Sequence, residues 1–131
     1  MSGGFCWVDL AARDAAAARN FYADVFGWSA HDQAANGGVF TRLRAGDADV
    51  GSLYQLRAAQ IDAGTPSHWT PYAAVDDIDV AARRVLAAGG RVVVQPFDVD
   101  GMARIALVID TVGALLGLWQ PLEGGKRGPS T

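Results

Sequence analysis

The sequence predicts an α+β fold made of two paired β-α-β-β-β modules. A first observation is a repeat. The segment WVDLAARDAAAARNFYADVFG, Trp7 to Gly27, lies on TPYAAVDDIDVAARRVLAAGG, Thr70 to Gly90, without a gap, so that Asp14 meets Asp77 and Gly27 meets Gly90. A second is that each copy reads as strand, Asp-led turn, alanine-rich helix and glycine stop. A third is that each copy precedes runs rich in Val, Ile, Leu and aromatics, bounded by Gly, Asp or Pro in the way strands are.

Each helix has a physical cause. Asp14 caps the first and Asp77 or Asp79 the second, because a carboxylate accepts hydrogen bonds from the free N–H groups of a first turn. Ala18, Phe21, Tyr22 and Val25 recur at helical spacing and form one apolar face. Ile78, Ala81, Val85 and Ala88 do the same in the second copy. Gly27 and the pair Gly89-Gly90 suit the left-handed conformation that ends a helix.

Strands follow in order. After the first helix come a short piece near Trp28, then GVFTRL (38–43) and DVGSLYQL (49–56). After the second come RVVVQPFDV (91–99), MARIALVID (102–110) and ALLGLWQ (114–120). Neither half has enough core to stand alone, so 1–131 is expected to be one domain: a first module over about 5–57, a linker over about 58–68, a second module over about 69–121 and a flexible tail over 122–131.

Composition narrows the function classes. The net charge is −3 with acids and bases interspersed, so no basic stripe suggests nucleic acid. The longest apolar runs, such as ALVI and ALLGLW, are far too short to span a membrane. MSGGFCW lacks the charged and apolar regions of a signal peptide. Cys6 is the single cysteine, so no internal disulfide forms, and a cytoplasmic setting is expected. Cys6 itself reads as a small buried residue of the first strand.

Taken together, the paired modules, FY followed by FGW at the end of the first helix, and DTVGALLGLWQP near the C-terminus resemble the vicinal oxygen chelate superfamily. That group includes glyoxalase I, extradiol dioxygenases, fosfomycin-resistance enzymes and bleomycin-binding proteins. The resemblance covers roughly residues 5 to 121 and is closest to an actinobacterial glyoxalase-like or hydroxylase-like branch through CWVDLAARD, WTPYAAVDDID and GLWQP. It implies a curved mixed sheet around a concave cleft, and a homodimer.

In metal-dependent members the resemblance implies one divalent ion, held by a His or Glu on the first strand of each module and a Glu, His or similar residue on the last. The ion polarises two neighbouring substrate oxygens. Laid on this chain, the first-strand positions are Trp7 and Thr70, and the last-strand glutamate of the second module falls on Gly117. The corresponding register in the first module is open, but VGSLYQL (50–56) contains no His, Asp or Glu. No metal and no cofactor is therefore expected. His31 and His68 lie in turn-like stretches and read as solvated side chains rather than ligands.

Period-two alternation assigns faces. Cys6, Val8 and Leu10 are expected under a helix, with Phe5, Trp7 and Asp9 on the concave side. Thr70, Tyr72 and Ala74 are expected on the concave side of the second module, with Gly117 and Trp119, while Leu116 and Leu118 face a helix. The expected ligand-binding residues are Trp7, Asp9, Gln55, Thr70, Tyr72, Gln95, Arg104, Gly117 and Trp119. Asp9 is the candidate catalytic acid or base, with Arg104 a possible partner for its charge. The same tryptophans could equally fill a core short of large aliphatics.

Several functions follow from this reading. A metal-free protein that binds a small aromatic or polycyclic metabolite, in the manner of sequestering or resistance proteins, ranks first, since flat apolar molecules suit aromatic clefts. A metal-independent isomerase, cyclase or hydroxylase-like enzyme using Asp9 ranks second. A metal-dependent glyoxalase or dioxygenase ranks third, and a partner or assembly module remains a further alternative.

Overall fold

The computed structural model describes residues 3–35, 38–99 and 101–122. The tail expected to be flexible falls, from residue 123 onward, outside the described residues. The chain divides into two compact units: unit one is Val8–Thr70, and unit two is Met1–Trp7 with Pro71–Thr131. Each is a β-α-β-β-β module in which a helix covers one face of a four-stranded mixed sheet.

In unit one the elements are β1 (Phe5–Ala12), α1 (Ala15–Phe26), β2 (Ser29–Ala35), β3 (Gly38–Ala45), β4 (Ala48–Gln55) and α2 (Ala58–Asp62). The sheet order is β2-β3-β4-β1, with β4 and β1 parallel and the other pairs antiparallel. Asp14 caps α1 by accepting from the Ala17 N–H, and Gly27 closes it at a left-handed φ of 73°, where its N–H returns to the Ala23 carbonyl. The core is Leu10, Ala12, Leu43 and Leu53, with Ala15, Ala18 and Tyr22 of α1 packed on it. Burying each such leucine contributes about 1.5–3 kcal/mol.

The stripe of α1 that meets this core is narrower than its sequence suggests. It runs through Ala15, Ala18 and Tyr22, so Phe21 and Val25, expected on the apolar face, lie beside it and are exposed. The FY and FGW motif residues form an aromatic stack instead: Tyr22 and Phe26 lie nearly parallel to Trp28, with ring centroids 5.1 and 5.0 Å from it. Trp69 meets Tyr22 edge-on and donates its indole N–H to the Tyr22 hydroxyl at 3.3 Å.

Unit two contains β5 (His68–Ala74, from Pro71 onward), α3 (Ile78–Ala87), β6 (Arg91–Val99), β7 (Ala103–Ile109) and β8 (Leu115–Pro121). Its order is β5-β8-β7-β6, with β5 and β8 parallel and the others antiparallel. Asp77, rather than Asp79, caps α3, accepting from the Asp79 and Val80 N–H groups. Ile78 of α3 packs with Ala106, Val108 and Leu118 of the sheet. The segment before β1 belongs to this unit: Gly3 donates to the Ala74 carbonyl at 2.6 Å and Ala74 to the Gly4 carbonyl at 2.8 Å.

Sequence expectations fail at several points. The linker holds a short helix, α2, because Ala58, Ala59 and Gln60 are good helix formers and the Gln60 amide accepts from the Arg57 N–H at 2.8 Å. The short piece near Trp28 is a full strand, β2, whose polar sequence suits an edge. His31 therefore lies on a strand, as does His68 at the start of β5. Cys6 is exposed, because burial along β1 begins only toward Leu10, where α1 covers the sheet. Among the described residues, no helix is long and apolar enough to cross a membrane.

Candidate functional site

Unit two presents aromatic rings on the sheet face away from α3. Leu118 faces the helix and packs on Ile78, so its neighbours Gly117 and Trp119 face the other way. Trp7 stacks on Trp119 with ring centroids 5.1 Å apart and an interplanar angle of 26°. Tyr72 meets Trp119 edge-on at 5.9 Å. Such pairs each contribute about 0.5–1.5 kcal/mol beyond the area they bury. Ile105 and Leu107 stand opposite Trp119 and Gly117 in register, extending the same apolar face.

Gly117 has a direct steric cause. It is the register partner of Tyr72 on the parallel strand, and the tyrosine ring lies across it. A Cβ at 117 would collide with the Tyr72 ring. The glycine thus marks close approach by a side chain.

On unit one the corresponding face is polar. The Ser52 hydroxyl donates to Asp9 Oδ1 at 2.6 Å. Burial pushes the Asp9 carboxyl above its ordinary pKa, while the Ser52 hydrogen bond and the nearby His68 pull it partly back. Tyr54, two residues beyond Ser52, is raised too, first by burial and then by the Asp9 charge, with Gln60 and Arg57 opposing. Arg42 on β3 stands opposite Ser52, and His31 on β2 stands opposite Arg42. His31 contacts the Ser29 hydroxyl through Nε2 at 2.9 Å, and His68 Nδ1 lies 2.9 Å from the Pro66 carbonyl.

The two modules are related residue by residue. The Gln55 side-chain oxygen accepts from the Ala15 N–H at the start of α1, and the Gln120 oxygen accepts from the Ile78 N–H at the start of α3, both at 2.8 Å. Counting back, Ser52 corresponds to Gly117 and Tyr54 to Trp119. The pair Asp9 and Ser52 occupies the register position that Tyr72 and Gly117 occupy in the other module. A signal for this was present in the sequence as Leu53-Tyr54-Gln55 and Leu118-Trp119-Gln120. Read as a repeat, it would have found Ser52 and the open register of the first module.

The ligand positions implied by metal-dependent members are thus Trp7, Ser52, Thr70 and Gly117. A divalent ion needs carboxylate, imidazole or several oxygen donors. Neither the indole and glycine of unit two nor the two hydroxyls of unit one supply that set, and the Tyr72 ring takes the space a longer residue at 117 would use. Among the described residues, no group of three or more His, Cys, Asp or Glu side chains is gathered.

The remaining expected residues lie as follows. Thr70 is buried. Gln55 is on the helix side of β4, where its amide also donates to the Arg13 and Leu56 carbonyls. Arg104 likewise faces α3 and binds Asp79 at 3.2 Å and Asp98 at 3.0 Å, so it does not partner Asp9; Ser52 does. Both sit on the helix face by alternation itself, Gln55 two residues after Leu53 and Arg104 two residues before Ala106. Gln95 is exposed, in the irregular stretch of β6 between Val94 and Phe97.

Residues 4–118 match the model of the Glyoxalase/Bleomycin resistance protein/Dioxygenase superfamily. The chain belongs to this superfamily. Among its relatives, CFP32 of Mycobacterium tuberculosis, provisionally named a glyoxylase, is 34% identical over 87% of this chain and 44% of its own length. The anthracycline biosynthesis protein DnrV of Streptomyces peucetius is 34% identical over 95% of this chain and 50% of its own length. The superfamily chain described here therefore spans about half the length of these curated relatives. Methylmalonyl-CoA epimerase from Mycobacterium tuberculosis superposes with a TM-score of 0.66 at 21% identity, over 91% of this chain and 88% of the epimerase, a likeness of fold alone.

Proposed function

We propose that this protein binds a small aromatic or polycyclic metabolite without a divalent ion, in a sequestering or resistance-like role. The observation that carries the proposal is the ring group of Trp7, Trp119 and Tyr72, set over a glycine where the metal-dependent pattern has a ligand. Aromatic faces with few polar groups favour flat apolar ligands. The relative DnrV, named for the biosynthesis of anthracyclines, which are polycyclic aromatics, supports the same ligand class. Tryptophan fluorescence titrated with a neutral anthraquinone tests it. Saturable quenching is expected in wild type and a large loss of affinity in Trp119→Ala. An unresponsive wild type, or an unaltered titration in the variant, counts against the proposal.

A second reading rests on Asp9. A carboxyl held by Ser52, with its pKa raised by burial, suits general acid–base catalysis in a metal-independent isomerase, cyclase or hydroxylase-like enzyme. On that reading Asp9→Asn abolishes turnover and keeps ligand binding. The third, metal-dependent reading requires about one equivalent of bound transition metal per chain, which elemental analysis measures. The homodimer is part of the first proposal and is read by light scattering.

A further inference from the structure

The two long helices of the repeat differ on their outward faces, and the difference points to a partner. We infer that the outer ridge of α1, formed by Ala17, Phe21 and Val25, docks antiparallel on the same ridge of a second copy of this chain. The inference gives the proposed homodimer its interface and rests on that part of the reading alone.

α1 is apolar on more than one side. Ala15, Ala18 and Tyr22 pack on the core of unit one, all only partly buried. Ala17, Phe21 and Val25 recur every four residues and form a second ridge beside the first. Ala17 is exposed, and Phe21 and Val25 are 56% and 53% exposed. A contiguous apolar row in water, unlike a scattered apolar residue, marks a contact surface.

The repeat supplies the comparison. Phe21 stands where α3 has Arg84, Ala16 where it has Asp79, and Asn20 where it has Arg83. α3 therefore carries an acid in its first turn and a base in its last, as a solvated helix does. α1 has neither.

Self-complementarity identifies the occupant. A two-fold contact pairs residue i with j and j with i. With the axis at Phe21, an antiparallel second α1 sets Ala17 against Val25, small against large, on both sides of the axis. Charge agrees with this pairing. Asp24, in the last turn of α1, lies at the negative end of its own helix and has no hydrogen-bond or ion-pair partner among the described residues. In the antiparallel pair it comes to the first turn of the other α1, the positive end, with the exposed Arg13 nearby. The relatives CFP32 and DnrV are about twice as long as the part they share with this chain, so each has room for one more domain of this size.

The test combines light scattering of the full chain over a range of concentrations with oxidative cross-linking. Wild type is expected to be a dimer. Phe21→Arg, which installs the residue that α3 carries, should weaken the dimer about tenfold or more, as loss of a central interface aromatic does. For cross-linking, Ala17→Cys and Val25→Cys are made separately in a Cys6→Ser background. An oxidised equimolar mixture should yield a covalent dimer of unlike chains. Each variant alone should yield little, because its two cysteines lie on opposite sides of the axis, each about 6 Å along the helix from it. A monomeric wild type, a dimer that Phe21→Arg leaves intact, or a mixture that cross-links no better than the single variants overturns the inference. A monomeric wild type that still binds anthraquinone removes this inference and the homodimer and leaves the ligand reading standing. A dimer broken by Phe21→Arg in a chain that ignores anthraquinone does the reverse.

Discussion

Tyr72 and Gly117 face one another in register on parallel strands, and the tyrosine ring fills the space that any side chain at 117 would need. In the other module the same two register positions hold Asp9 and Ser52, joined by a 2.6 Å hydrogen bond. One scaffold position is thus an apolar contact in one unit and a polar one in the other.

Gly117→Ala should lower stability by about 1–3 kcal/mol, the usual cost of overpacking a filled site. Tyr72→Ala alone should also destabilise, by opening a cavity. In the double variant the added cost of Gly117→Ala should vanish, because the ring it strikes is gone. Urea denaturation of the four proteins measures this coupling; simple additivity would disprove the contact.

Asp9→Asn should stabilise the protein at neutral pH. The folded-state pKa of Asp9 is raised, mainly by burial, so the folded state holds this proton more tightly than the unfolded chain. Its contribution is fully present below the ordinary aspartate range and is lost as pH rises through the raised folded value. Asparagine can still accept from Ser52 and does not ionise. Melting temperatures against pH should show a flatter profile in the variant, with the gain appearing only above the ordinary carboxylate range.

Asp110 should behave with the opposite sign. Its carboxylate accepts from the Ala114 and Val112 N–H groups in the β7–β8 turn, and these bonds hold its pKa below the ordinary value. The stability it adds is present above the ordinary aspartate range and is lost as pH falls through the depressed folded value. Asp110→Ala should therefore lower the melting temperature at neutral pH, and the difference from wild type should shrink in acid.

Gln55→Ala and Gln120→Ala should each cost about 1 kcal/mol, as the loss of a helix-terminal hydrogen bond does. Each removes the acceptor for the first N–H of a helix, Ala15 in α1 and Ile78 in α3. Equivalent losses in the two variants, read by thermal denaturation, would support the repeat relationship. A neutral effect in both would argue that water replaces the amide.

The candidate site was only partly legible in advance. Trp7, Tyr72, Gly117 and Trp119 follow from alternation and from the repeat. Ser52 and Tyr54 were legible only through the match of Leu53-Tyr54-Gln55 to Leu118-Trp119-Gln120, and Arg42 not at all, because nothing local to GVFTRL says which residue of β4 it will face. Gln55 and Arg104, expected on the open face without a register for β4 or β7, lie on the helix side, as alternation from Leu53 and Ala106 requires, and there meet the Ala15 N–H and the Asp79 carboxylate.

The amino-acid sequence alone determined the elements: Asp14 and Asp77 start the helices, Gly27 stops the first, and β-branched runs form strands. These are short-range effects, settled by residues within a turn of one another. Tertiary structure alone decided that Asp9 meets Ser52, that Tyr72 covers Gly117, and that Arg42 shares their kind of row. Strand register joins residues more than 40 positions apart, and only the packing of one helix against one sheet face selects it.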